Sequence, residues 1–157
     1  MANSRVVANR FLELARSQRR GLTPMQILKL VYIAHGWSLG LYGRPLIDEP
    51  VEAWQYGPVI PSLYRSMKGA GAGPVAGPLP IGFDGPERHI DTQQLQLVDD
   101  VYRLYGHMTG PQLSRITHAP NTPWQQTYRA GALGQRIPVD LIADHYARLS
   151  RERAPAA

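Results

Sequence analysis

Apolar positions recur along most of the chain at spacings of three and four, the pattern of helices that bury one face. Val7, Phe11 and Leu14 form one such stripe within residues 4–18, with Gly21 expected to end that helix. Residues 23–42 differ, being apolar nearly all round. Ile27, Leu30, Val31, Ala34 and Leu41 make one face, Leu28, Tyr32 and Leu39 a second, and Ile33 with Trp37 part of a third. Such a helix belongs at the centre of a fold. Its start is marked by Thr23 as N-cap, Pro24 in the first turn and Gln26 completing a capping box. Gly36 and Gly40 share a face, each at a cost of up to about 1 kcal/mol in helix propensity, which predicts close approach by another backbone. Gly43 and Pro45 stop the helix.

The period then changes. Residues 46–56 alternate loosely, with Val51 and Ala53 on one side and Glu52, Trp54 and Tyr56 on the other, which predicts a short extended piece with Pro50 at a sheet edge. Gly57-Pro58 breaks direction, and residues 58–68 read as a short helix with Pro61 in its first turn. Residues 69–86 hold six Gly and four Pro and read as a flexible loop.

Helical spacing returns after it. Asp91 or Thr92 caps a helix to about Tyr105, with Leu95, Val98, Tyr102 and Tyr105 on one face and Leu97, Val101 and Leu104 on another. Short helices follow at 110–118 and from Thr122 to about Arg129, and Ile137 marks a brief extended piece. Val139, Ile142, Tyr146 and Leu149 stripe a last helix over 138–152, and residues 153–157 read as a frayed tail. The fold class expected is mainly α: about six to seven helices around a buried central helix at 23–42, with two or three short β segments, all in a single domain spanning 1–157.

Composition narrows the chemistry. The 157 residues are 43% hydrophobic and include no cysteine, which excludes a disulfide scaffold, a thiolate metal site and a cysteine nucleophile. The first twenty residues have no signal-peptide core, and no apolar run approaches the roughly 18 residues that span a bilayer. A cytoplasmic chain without membrane contact is expected. Net charge is +5, but unevenly spread: about +6 over residues 1–45, −5 over 46–100 and +4 over 101–157.

Five histidines occur without H-x-x-x-H spacing, so a helical zinc site has no support. His35, inside the apolar helix, reads as a packed, hydrogen-bonded histidine. No phosphate-binding loop or G-x-S-x-G motif occurs. Neither catalysis nor a cofactor is expected. One stretch stands out, "DEPVEAWQYGPVIPSLY" at 48–64, with three carboxylates, a tryptophan and two tyrosines around a Gly-Pro turn. Trp and Tyr supply large contact area at low entropic cost and are enriched at interfaces. Trp54 is expected nearer the core, Tyr56 and Tyr64 nearer the surface. Two other readings use the charges. Arginine-rich helices at the two ends could bind nucleic acid, and Asp48, Glu49 and Glu52 with a histidine could hold a metal for hydrolysis.

The stretch from Leu28 to Lys68, with its helix "KLVYIAHGW", the exit Gly43-x-Pro45-Leu46, the turn "EAWQYGPV" and the start "PSLY", resembles the signature of the Panacea domain, the family of SocA-like and GepA-like phage-associated proteins. "THAPNTPW" at Thr117–Trp124 is a second match. The resemblance covers roughly residues 5–150; the 69–86 loop has no counterpart in it. It implies an antitoxin that neutralises a cognate protein toxin, encoded alongside, by direct contact. SocA-like members deliver the toxin to a cellular protease. Relatives often append a DNA-binding domain; none is expected here, and nucleic acid is not the expected partner. On this basis Asp48, Glu49, Glu52, Trp54, Tyr56, Tyr64 and Arg65 are the partner-binding candidates.

Overall fold

The structure, a computed structural model, describes residues 2–81 and 89–153. It is mainly helical. Among the described residues seven α-helices run in the order α1 (Ser4–Ser17), α2 (Pro24–Tyr42), α3 (Pro61–Ser66), α4 (Thr92–Tyr105), α5 (Gly110–Thr117), α6 (Pro123–Thr127) and α7 (Val139–Arg153). Between α2 and α3 lie two short antiparallel strands, β1 (Glu52–Trp54) and β2 (Gly57–Val59), in the register Glu52 to Val59, Ala53 to Pro58 and Trp54 to Gly57.

Helix starts follow local chemistry. Capping boxes form at Thr23 with Gln26, Asp91 with Gln94 and Thr109 with Gln112. In each, the side chains satisfy donors that a helix end leaves open. α1 ends earlier than Gly21 predicts: Arg19 takes the left-handed conformation at φ 57°, just past Gln18. α6 ends at Thr127, two residues short of Arg129, because Tyr128 turns extended and lays its ring on Trp124.

α2 is the buried centre, with α1, α4, α5 and α7 packed around it. α7 crosses the glycine face. A Cβ on Gly40 would stand 2.6 Å from the backbone carbonyl carbon of Tyr146, and one on Gly36 would stand 2.2 Å from the same residue's ring. The expected backbone approach therefore occurs at Gly40, while Gly36 makes room for an aromatic ring. That ring lies edge-on to Trp37, with centroids 5.2 Å apart. His35 is buried as expected: its Nδ1 accepts from the backbone N–H groups of Leu46 (3.1 Å) and Ile47 (3.4 Å). Desolvation lowers its pKa to about 4, so it holds the loop as a neutral ring.

Three positions expected in apolar stripes are exposed: Leu41 near the end of α2, Leu104 at 64% on the outer face of α4, and Val139 at 56% on the first turn of α7. The segment 58–68 is only partly helical. Pro58 and Val59 belong to β2, and Ile60, preceding a proline, stays extended, so α3 starts at Pro61.

Residues 135–137 supply the extended piece expected around Ile137. Ala53 donates to the Gln135 carbonyl and Ile137 donates to the Val51 carbonyl, both at 2.8 Å, which extends the β1 side of the hairpin. The glycine-proline segment has little regular structure up to residue 81, yet it is tied down. Val75 donates to the Leu22 carbonyl, and the Asn9 amide bonds both backbone groups of Leu79. Residues 82–86 of the expected loop and 154–157 of the expected tail lie outside the described residues. Arg153 belongs to α7 and donates to the Tyr105 hydroxyl at 2.9 Å.

Candidate functional site

Three of the seven candidate residues, Glu52, Trp54 and Tyr56, lie on the hairpin, and Tyr64 packs against it from α3. Gly57 stands at φ 119°, a region open to glycine, and lets the chain reverse after Gln55-Tyr56. The Trp54 ring is half-buried and lies edge-on to Tyr64, with centroids 5.1 Å apart; its indole N–H donates to Glu52 Oε1 at 2.9 Å. Tyr56 is 63% exposed and Tyr64 37%. The division expected of the three aromatic residues is therefore the one found, and Trp54 stands midway between core and surface.

What holds this corner comes from about sixty to seventy residues further along. Trp124 donates its indole N–H to the Trp54 carbonyl at 2.5 Å, and Ser114 donates its hydroxyl to the Tyr56 carbonyl at 2.6 Å. Ser114 Oγ also lies 3.2 Å from His118 Nδ1. The single hydroxyl proton is already committed to Tyr56, so His118 carries its proton on Nδ1 and donates it to Ser114. Trp124 is in turn clamped between Tyr128, stacked at 4.7 Å, and the edge of His118 at 5.2 Å. "EAWQYGPV" and "THAPNTPW" are thus two halves of one construction.

Beneath the hairpin lies a residue that the hydrophobic pattern concealed. Lys29, on α2, is only 2% exposed, and its ammonium donates to the Pro58 carbonyl at 2.9 Å. Burial pulls its pKa down to about 8. Gly57 is close beside it, since a Cβ there would come within 3.0 Å of Lys29 Nζ. A lone cation within an otherwise apolar helix was the available signal, because lysine is almost never fully buried without a partner.

Lys29 forms part of the wall of a groove of about 910 Å³. Met25, Leu28 and Val59 give it an apolar lining, Trp54, Tyr56 and Tyr64 an aromatic one, and Thr23 and Thr109 bring in the starts of α2 and α5. The surface is mostly apolar with a few polar groups, the usual character of a ligand-binding cleft.

The three acids do not converge. Asp48 is exposed. Glu49 accepts from the backbone N–H of Ser4 and from the Ser62 hydroxyl, both at 2.7 Å, and also bonds the Ser4 hydroxyl. It thereby ties the start of α1 to α3. Glu52 holds the Trp54 indole. Among the described residues no group of three or more His, Asp or Glu side chains is placed to hold a metal ion. Arg65 is exposed on α3, next to Tyr64. Among the described residues no helix is long and apolar enough to cross a membrane.

Residues 27–125 match the family described as "Antitoxin SocA-like, Panacea domain". That range contains the hairpin, Lys29, Ser114, His118 and Trp124. The chain is also similar to Antitoxin SocA of Caulobacter vibrioides (strain NA1000 / CB15N), 30% identical over 156 residues that cover 92% of this chain and 82% of the relative. No solved structure matches it.

Proposed function

The chain belongs to the SocA-like Panacea domain family of antitoxins, and on that premise we propose that it neutralises a cognate protein toxin by direct contact at the hairpin corner. The observation that carries this reading is the exposure of Tyr56 and Tyr64 on the rim of an apolar groove. Large aromatic side chains beside an open apolar surface mark protein-binding sites, because a partner can bury them at little entropic cost. Trp54 stiffens the rim from behind through its contact with Tyr64. Glu52 beside Trp54 and Arg65 next to Tyr64 are polar neighbours that would select a partner and speed encounter more than they add affinity, and Asp48 is an exposed charge on the same stretch of chain. Glu49 is assigned to the internal tie between α1 and α3. Occlusion of the toxin and delivery of it to a cellular protease both begin with this contact.

The arginines favour this reading over nucleic-acid binding. Arg10 pairs with Asp99 and Glu13, Arg20 bonds the Tyr102 hydroxyl and the Gly106 carbonyl, and Arg153 lies over Trp37. These three arginines at the two ends of the chain are therefore engaged within the fold.

The test is co-expression with the protein encoded beside it. Growth should be rescued by the wild type and lost with Tyr56→Ala combined with Tyr64→Ala, while circular dichroism and Tm stay unchanged. Full rescue by the double variant would remove this surface from consideration.

A further inference from the structure

We propose that the groove beside the hairpin receives an apolar segment of the partner polypeptide bearing one Asp or Glu side chain, whose carboxylate pairs with the Lys29 ammonium. This deepens, and rests on, the reading of the hairpin corner as the docking surface.

An ammonium has three N–H donors. Among the described residues Lys29 has a single acceptor, the Pro58 carbonyl at 2.9 Å. Taking a charge out of water is costly unless it is paired, so a buried lysine with one neutral acceptor is under-compensated. The walls do not supply the missing anion. Among the described residues that line the groove, Lys29 is the one charged side chain and none is a carboxylate. The starts of α2 and α5 reach the same groove at Thr23 and Thr109, and the positive ends of their dipoles favour negative charge there as well. One buried cation and two helix starts around an apolar lining describe a receptor for an anion carried on apolar flanks.

The size suits a short peptide segment better than a lone ion. Clefts that bind small molecules run from about 300 to 1,000 Å³, and this one is near the upper end at about 910 Å³. A lone ion would leave most of it unfilled, whereas several residues passing through would cover Met25, Leu28 and Val59 while one side chain reaches Lys29. A charged hydrogen bond formed out of water is worth enough for about a 10- to 100-fold change in affinity.

The full chain can be tested with a library of nine-residue peptides blocked at both ends. Selected sequences should carry one Asp or Glu between apolar residues. Replacing that acid with its amide should weaken binding to the wild type about 10- to 100-fold and leave binding to Lys29→Met unchanged. The Met side chain keeps the stem and removes the charge, and Tm measured alongside confirms that the variant is folded. The proposal is overturned if selected peptides lack an acid, if Lys29→Met discriminates acid from amide as the wild type does, or if nothing is enriched. A preference for unblocked peptides binding through their terminal carboxylate overturns it too, as does a dimer in light scattering that Lys29→Met dissolves. Growth rescue separates the two levels. Loss of rescue in the Tyr56 and Tyr64 variant with retention in Lys29→Met refutes the pairing alone, whereas retention in both refutes the docking surface.

Discussion

Lys29→Met also has a consequence for stability that requires no partner. The substitution removes an ammonium and keeps an apolar stem of similar length. In the folded chain the Lys29 pKa is about 8, against an ordinary 10.5. That gap corresponds to about 3 kcal/mol of penalty for holding the charged form inside. The unfolded chain therefore retains the proton at pH values where the folded chain has released it. Stability is lowest below pH 8 and rises as pH climbs from 8 towards 10.5. Between pH 7 and pH 9, short of most tyrosine ionisation, the wild type should gain about 1 kcal/mol from this group. Lys29→Met should gain nothing from it. Urea unfolding of both proteins at the two pH values isolates the effect, because every other group titrates in both. At pH 7 the variant escapes the penalty but leaves the Pro58 carbonyl without its donor, at a cost of about 1–3 kcal/mol, so the two should be of similar stability. Parallel pH dependence of the two proteins would refute the account of Lys29 as a buried, desolvated cation.

Two further substitutions probe the frame around α2. Gly40→Ala would drive a methyl group to 2.6 Å from the backbone of Tyr146, which cannot swing aside, and should cost at least about 1–3 kcal/mol, read as a fall in Tm of several degrees. At His35 the folded-state pKa of about 4 lies below the ordinary value, so acid draws protons onto the unfolded chain first. Stability should fall by about 2 kcal/mol between pH 7 and pH 4.5 through this residue, and a His35→Gln variant should lack that component in urea unfolding.

The parts of this architecture that could be read from the chain are those set by neighbours in sequence. Thr23 and Gln26 cap α2 because they stand three apart, and nothing distant is needed to form that box. Gly36 and Gly40 announced a crossing because four residues bring both to one helix face, although which element crosses, and that one glycine admits a ring, depends on α7. Exposure of Leu104 and Val139 escaped prediction because periodicity gives a stripe its direction and says nothing of where the neighbouring helix stops. The corner was half legible. Trp54, Tyr56 and Tyr64 stood out by type, but the role of Glu49 depends on Ser4 and Ser62, 45 and 13 residues away in the chain. Lys29 was hidden for a related reason. Helical spacing placed it among apolar positions, and only Pro58, on the second strand of the hairpin above it, gives its ammonium a partner.

The hairpin is gripped by main-chain oxygens: Trp124 of the second motif holds that of residue 54, and Ser114, on α5 just ahead of the motif, holds that of residue 56, while the Tyr56 side chain at the tip stays exposed. A carbonyl is the same whatever residue carries it. The rim can therefore exchange its side chains through mutation while the chassis keeps its shape, and on the function proposed above one architecture could be refitted to follow a diverging adversary.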